Sequence, residues 1–371
     1  METVSPSAIG DPRRLLVRGV NWLGDAVMTT PALLRLREKF AGARIALLTP
    51  EKLQELWIKH PAMDEIITFK AGETVFAVAK KLRAGRFDAA LVLPNSPRSA
   101  IEVFLARIPR RIGHSRPWRN FFLTGAIAPR TDAVMMKKRS AAEIRQLISG
   151  SSNSSPRPPK TAHQMFEYLH LTTALGANPR PLPPQLFVAP EEIESARQKF
   201  GLENISGPIF GLNPGAEYGP AKRWPPERFI AAARQIQRET NCCWLIFGGS
   251  GDRDLAARIE SEIQNTKLKV ENLAGKTLLR ELMALLKLCR VLLTNDTGPM
   301  HLAAALGVPL VAIFGSTSPE LTGPILSNGS KILKSDVPCS PCFLRECPID
   351  FRCMNGIGVA QAVEAVLEAV D

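Results

Sequence analysis

The chain has 371 residues, 45% hydrophobic and 22% charged. That is enough for about two domains of ~150 residues, and it excludes a disordered tail, a fibre or a small disulfide scaffold. Lysine and arginine number 47 against 35 acidic residues, and the net +12 is polarised: residues 1–185 carry 28 basic and 14 acidic side chains, residues 186–371 carry 19 and 21. A basic first half suits an anionic partner such as nucleic acid, a phosphorylated glycan or an acidic membrane surface, with solubility as the plainer explanation.

Residues 1–12 show neither a basic n-region nor an apolar h-region, so the reading is a cytosolic chain. Residues 14–20 form an apolar strand, 21–25 a loop, 26–40 a helix and 43–48 a second strand; 87–93 is a further buried strand, and a helix at 99–106 leads into Arg110-Arg-Ile-Gly113. Near-continuous apolar strands between amphipathic helices imply a parallel sheet covered on both faces. From 137 to 160 the composition turns to Lys-Lys-Arg, Ser151-Ser-Asn-Ser-Ser155 and Pro-Arg-Pro-Pro, the signature of a mobile surface insertion.

A helix follows at 162–175, and 178–184 reads as a Pro-rich linker. The second alternation then has strands near 209–213, 243–247, 270–273, 291–294 and 310–314, with helices at 226–239, 253–263, 278–288 and 300–306. The long uncharged run 297–319 is split by Gly307-Val308-Pro309 into a helix and a strand, so no membrane span is expected. The domains are therefore 1–180, holding the insertion, and 181–371, with the last helix, about 358–370, a candidate to pack back on the first. Such α/β domains bind ligands at the carboxyl ends of their strands.

Three segments carry the chemistry. Leu293-Thr-Asn-Asp-Thr-Gly-Pro-Met-His301 delivers Asp296, Thr297 and Gly298 to a helix start with Pro299 in its first turn. The free N–H groups, the dipole and the threonine hydroxyl suit a pyrophosphate, while Asp296 suits sugar hydroxyls, the loop itself, or a plain N-cap. The loop Leu212-Asn-Pro-Gly-Ala-Glu-Tyr-Gly-Pro-Ala-Lys-Arg-Trp-Pro-Pro226 offers Lys222 or Arg223 to a departing diphosphate, with Gly215 permitting close approach. Gly19-Val-Asn-Trp-Leu-Gly-Asp-Ala-Val-Met28 holds Asp25 at a helix start, as a cap or as a general base, and lacks the dinucleotide G-x-G-x-x-G pattern.

Taken in order, N-W-L-G-D-A-V-M-T-T-P at 21–31, the N-P-G-A…A-K-R-W-P-P-E-R-F loop at 213–229 and N-D-T-G-P-M-H-L-A-A-A-L-G-V-P at 295–309 resemble the ADP-heptose:lipopolysaccharide heptosyltransferases, most closely the heptosyltransferase II branch. The resemblance implies an α/β chain of GT-B fold, two Rossmann-like doubly wound domains facing across a cleft, acceptor on the first and sugar nucleotide on the second. It implies an inverting transfer from ADP-heptose to the heptose/Kdo inner core of lipopolysaccharide, with no required cofactor, at the cytoplasmic face of the inner membrane.

Residue by residue, Asp25 matches the catalytic base, Lys222 the diphosphate ligand, and Asp296, Thr297, Gly298 and His301 the loop holding heptose and phosphate. Gly215 and Thr277 join the donor set, the loop 273–277 facing adenine and Gly251 or Asp252 standing at the ribose position. Asn21, Trp22, Arg110, Arg111, Arg116 and Arg119 are the acceptor candidates, since Kdo carboxylates and lipid A phosphates are anionic. Lys137, Lys138 and Arg139 add to the same charge.

Several features stand outside this set. Asp252-Arg-Asp254 reads as a capped, solvated turn rather than a metal-binding D-x-D. Cys339, Cys342, Cys347 and Cys353 have spacing compatible with a structural zinc, with redox pairing or inert thiols as alternatives; an odd total of seven cysteines argues against a disulfide framework. His60, His114, His163 and His170 belong to no triad. The competing readings are a GT-B enzyme using another nucleotide sugar, and a nucleic-acid surface for which Trp118, Phe121 and Phe122 are too few aromatics.

Overall fold

The computed structural model describes residues 10–150, 158–264, 269–325 and 329–370. They divide into two compact units: the described parts of 1–133 and 161–187, and those of 134–160 and 188–371.

The first unit runs β1 (Arg14–Arg18), α1 (Leu23–Lys39), β2 (Arg44–Pro50), β3 (Glu65–Phe69), α2 (Val75–Ala84), β4 (Ala89–Val92), α3 (Pro97–Leu105), β5 (Arg110–His114) and β6 (Gly125–Ile127). Next come α4 (Ala141–Ser149), which belongs to the second unit, and α5 (Met165–Thr173), which packs on α1. The sheet order is β3-β2-β1-β4-β5-β6, parallel throughout. Leu15, Leu16 and Val17, Ile45 to Leu48 and Ala89 to Val92 are fully buried because helices cover both faces, which is why these strands read as unbroken apolar runs.

Thr74 and Ser96 start α2 and α3 by accepting from the backbone N–H groups of Ala77 and Ser99. Pro31 inside α1 has no N–H to give the Val27 carbonyl, and the Thr30 hydroxyl donates to that carbonyl instead, at 2.8 Å. Arg18 is the one charge on β1's buried stretch; its Nε donates to Glu102 at 2.9 Å, and Arg98 donates to the same carboxylate at 2.9 Å.

The second unit adds α6 (Pro190–Lys199), β7 (Ile209–Asn213), α7 (Pro226–Thr240), β8 (Cys243–Ile246), α8 (Arg253–Gln264), β9 (Val270–Asn272), α9 (Leu279–Leu288), β10 (Leu292–Asn295) and α10 (Gly298–Ala305). It closes with β11 (Leu310–Phe314), α11 (Pro319–Thr322), β12 (Lys331–Lys334), α12 (Arg352–Asn355) and α13 (Val359–Val370). Its parallel sheet has the order β12-β11-β10-β7-β8-β9. Trp224, Trp244, Phe210 and Phe229 anchor the core on one face.

Two expected boundaries move. Residues 181–187 stay with the first unit, where Leu186 is buried and the Gln185 N–H donates to Thr30 at 3.2 Å. The described part of 137–160 clusters with the second unit: Ser140 caps α4, Ile144 packs on Cys339 and Cys342, and the Arg139 N–H donates to the Cys342 carbonyl at 3.0 Å. Its serine-rich stretch, 151–157, lies outside the described residues. The final helix, α13, packs on α7 and β11 of its own unit, because Ala362, Val363, Val366 and Ala369 belong to that core. Among the described residues no helix is long and apolar enough to cross a membrane.

Candidate active site

In each sheet the chain leaves its first strand in one direction and later returns to that strand's other side, making a switch point where the loops diverge. In the second unit it lies between β7 and β10, whose ends pair Asn213 with Thr294. Side chains stitch the two loops together. Asn213 Nδ2 donates at 3.0 Å to both Thr294 and Thr297; Asn295 Nδ2 donates to the Pro214 carbonyl at 2.7 Å; the Trp224 N–H donates back to Asn295 at 3.0 Å.

The chemistry sits on this frame. Asp296, 4% exposed, has Lys222 Nζ at 2.5 Å from Oδ2 and accepts the Thr317 hydroxyl at 2.6 Å. Of the readings open for Asp296, holding the loop together is the one its contacts match. The Lys222 ammonium also lies 4.9 Å from the centre of the Tyr218 ring, and Tyr218 donates to the Phe343 carbonyl at 2.8 Å. Thr297 makes no side-chain cap at the start of α10, so the helix presents its N-terminus next to an ammonium group, an arrangement fit for a diphosphate.

Gly298 opens that helix and His301 is buried within it. At Gly215 a Cβ would fall 2.4 Å from the Asp252 carboxylate, so a larger residue there would have to displace that side chain. Asp252 accepts the Gly249 N–H at 3.0 Å, the turn expected for this acidic pair, and Arg223 stands 3.8 Å from it. Thr277 is half-buried in the loop after β9, where the Gly275 N–H donates to the Gly248 carbonyl at 2.9 Å.

In the first unit the switch point lies between β1 and β4, and Asp25 occupies the first turn of the helix leaving β1. The carboxylate accepts Gln164 Nε2 at 3.2 Å, and the same amide donates to Tyr168 at 2.9 Å. Burial, and then the charge of Asp25, raise the Tyr168 phenol well above its usual value, so it stays protonated. Asn21 accepts Arg18 Nη1 at 2.9 Å, holding the turn, while Trp22 is half exposed under Lys52 at 5.3 Å.

The four arginine candidates separate. Arg110 and Arg111 pair with Ala89 and Ala90 at the start of β5, the edge opposite Asp25. Arg111 is committed there to the carbonyls of Phe122 at 2.8 Å and Ile108 at 2.5 Å. Arg116 and Arg119 follow the carboxyl end of β5, on Asp25's edge. Arg119 is fully buried, reaches Asn95 at 3.4 Å, and has Nε and Nη2 without a partner among the described residues. Burial, and then Arg116, push its guanidinium down to about 10. Beside it His114, hydrogen-bonded to the Glu167 carbonyl at 3.1 Å, is pushed down to about 4 by burial first and Arg116 next.

Tyr218 and Thr317 lay outside the sequence-derived set. Tyr218 stands inside the quoted loop motif and could have been noticed; Thr317 is brought to Asp296 only by the adjacency of β10 and β11.

The family model described as Glycosyltransferase family 9 (heptosyltransferase) matches residues 75–351. Lipopolysaccharide heptosyltransferase 2 of Escherichia coli K12 is 31% identical over 330 residues, covering 86% of this chain and 88% of the relative. The Salmonella typhimurium LT2 protein of the same name is 30% identical over 330 residues, 86% and 88% of the two chains. The solved structure of E. coli ADP-heptose lipopolysaccharide heptosyltransferase II superposes with a TM-score of 0.76 at 27% identity, covering 96% of this chain and 98% of that one. Two Rossmann-like units of six parallel strands are the make-up of the GT-B fold. With its family motifs lying on the loops of those two switch points, the chain belongs to glycosyltransferase family 9, the heptosyltransferase family.

Proposed function

We propose that the protein transfers L-glycero-D-manno-heptose from ADP-heptose to the heptose/Kdo inner core of lipopolysaccharide, with inversion and with Asp25 as general base. The observation that carries this reading is the Lys222–Asp296 pair at the N-terminus of α10, where an ammonium group and a helix dipole converge at the switch point of the second unit. It is supported by the names of the similar proteins.

In this mechanism Lys222 shifts from Asp296 to the donor diphosphate, Thr297 and the Gly298 N-terminus take the remaining phosphate oxygens, and Asp296 turns to the heptose hydroxyls. Gly215, Thr277 and His301 shape the rest of the donor pocket. Asp25 accepts the proton of an acceptor hydroxyl as that oxygen bonds to the anomeric carbon. The bond from that carbon to the phosphate oxygen breaks, and ADP leaves with the electron pair. Lys222 and the helix terminus stabilise the departing charge without a metal.

Arg116 is the acceptor cation favoured by its position on Asp25's edge of the sheet; Arg119, fully buried on the same edge, contributes its charge rather than a contact. The acceptor is a lipid-anchored anion, so the protein works at the cytoplasmic face of the inner membrane as a peripheral protein.

The test is a transfer assay with ADP-heptose and a heptose-primed inner-core acceptor. Asp25→Asn should lose about 10² to 10⁴ in rate and keep its affinity for ADP; retained turnover removes Asp25 from the role. A donor panel distinguishes the alternative, a related enzyme using another nucleotide sugar.

A further inference from the structure

Between β12 and α12 the chain runs without a strand or a long helix, and this stretch holds Cys339, Cys342 and Cys347, with Cys353 just inside α12. The protein's other cysteines, Cys242, Cys243 and Cys289, are buried in the second unit. These four instead line one small cavity of about 10 Å³, together with Ile144, Ala221 and Arg352. That volume suits a single small occupant. None of the four is in a disulfide.

Burial raises the Cys339, Cys342 and Cys353 thiols, so deprotonation here needs a cation, and backbone donors already face two of the four sulfurs. The Phe351 N–H donates to Cys347 Sγ at 3.3 Å, and the Leu344 backbone hydrogen-bonds the Cys342 sulfur. Arg352 acts electrostatically on Cys339, and Arg139 on Cys342.

We propose that Cys339, Cys342, Cys347 and Cys353 form a tetrathiolate site for one thiophilic divalent metal ion, zinc or iron. The spacing C-x2-C-x4-C-x5-C and convergence on one cavity are the two independent observations behind it. Among the described residues no set of three or more Cys, His, Asp or Glu is already drawn up to hold a metal ion, so binding requires the four sulfurs to move closer together. Four thiols give up four protons to solvent, and M²⁺ with four thiolates leaves a charge of −2, which Arg139 and Arg352 offset.

The same loop braces the segment that carries Lys222. The Ala221 N–H donates to the Arg345 carbonyl at 2.9 Å and Tyr218 donates to the Phe343 carbonyl. The Cys342 and Phe343 N–H groups donate to the Ser316 carbonyl at 3.0 and 2.7 Å, next to Thr317. A metal there would hold both donor loops in register. This consequence rests on the proposed donor site; the metal site does not.

The test begins with elemental analysis of the full-length protein purified under reducing conditions, where about one zinc or iron per chain is expected and the element found separates the two. Cys342→Ser and Cys353→Ser should lose the metal. If those variants fail to fold, cobalt added to metal-stripped wild type decides the question, because tetrahedral thiolate coordination gives intense absorption bands in the red. A donor KM raised about tenfold in stripped protein, the scale of one displaced charge-assisted contact, would support the bracing role. Protein that is metal-free as purified, binds neither zinc nor cobalt with all its thiols reduced, or links these four cysteines in disulfides overturns the proposal.

Discussion

Replacing Lys222 by methionine keeps the aliphatic stem on Tyr218 and removes the ammonium group 2.5 Å from Asp296. Asp296 is then a buried carboxylate with the Thr317 hydroxyl, at 2.6 Å, as its remaining described donor. Breaking a buried ion pair from one side costs about 3–5 kcal/mol, and the surviving hydroxyl puts this case near the lower end, about 3 kcal/mol. With a urea m-value of about 2 kcal/mol/M, that is a fall of roughly 1.5 M in midpoint. Adding Asp296→Asn removes the stranded charge and should restore most of the loss, giving a coupling of about 2 kcal/mol in the double-mutant cycle. Turnover should not follow stability: with Lys222 gone the departing diphosphate lacks its cation, and the single and double variants should both lose about 10² to 10³ in kcat. The assays are urea unfolding by intrinsic fluorescence and heptose transfer on the same four proteins. A Lys222→Met protein as stable as wild type refutes the electrostatic account of Asp296, and a double variant that regains turnover refutes the role of Lys222 at the phosphate.

Two further outcomes concern the first unit. Arg119→Met should leave the urea midpoint unchanged or raise it, because a buried guanidinium with two unpartnered nitrogens does little for folding, while the KM for the anionic acceptor rises and the KM for ADP-heptose stays put; a large loss of stability would make Arg119 structural. His114 titrates at about 4 in the fold against 6.5 unfolded, so the fold favours its neutral form. Its contribution is therefore complete above pH 6.5 and is lost as the pH falls toward 4. At pH 5 the loss is about 2 kcal/mol relative to pH 7. Urea midpoints at the two pH values should show this for wild type and less of it for His114→Gln.

How far the molecule could be read in advance depended on whether a feature is local. Unbroken apolar runs such as Leu15 to Val17 and Leu310 to Phe314 marked buried parallel strands because nothing else in a covered sheet looks that way. β3 and β12 escaped notice: both are edge strands, half-buried, and β12 begins and ends in lysine. The two loops at the switch point of the second unit were legible because each motif is contiguous, and the adjacency of β7 and β10 brings them together. The sorting of the arginine candidates was not, since Arg111 and Arg116 lie five positions apart in sequence yet at opposite ends of β5, and only strand direction separates them. The position of α13 depended on a partner, α7, more than a hundred residues away.

The closed Lys222–Asp296 contact also bears on selectivity against bulk solutes. Sulfate or orthophosphate approaching Lys222 must compete with a carboxylate already at 2.5 Å, supported by a threonine hydroxyl, and a lone anion brings nothing to offset that exchange. A nucleotide diphosphate does, because one phosphate can take the ammonium while the other takes the start of α10. On the donor role proposed for Lys222 and α10, the site is shut to small anions by its own counter-ion until a ligand with two linked charges opens it.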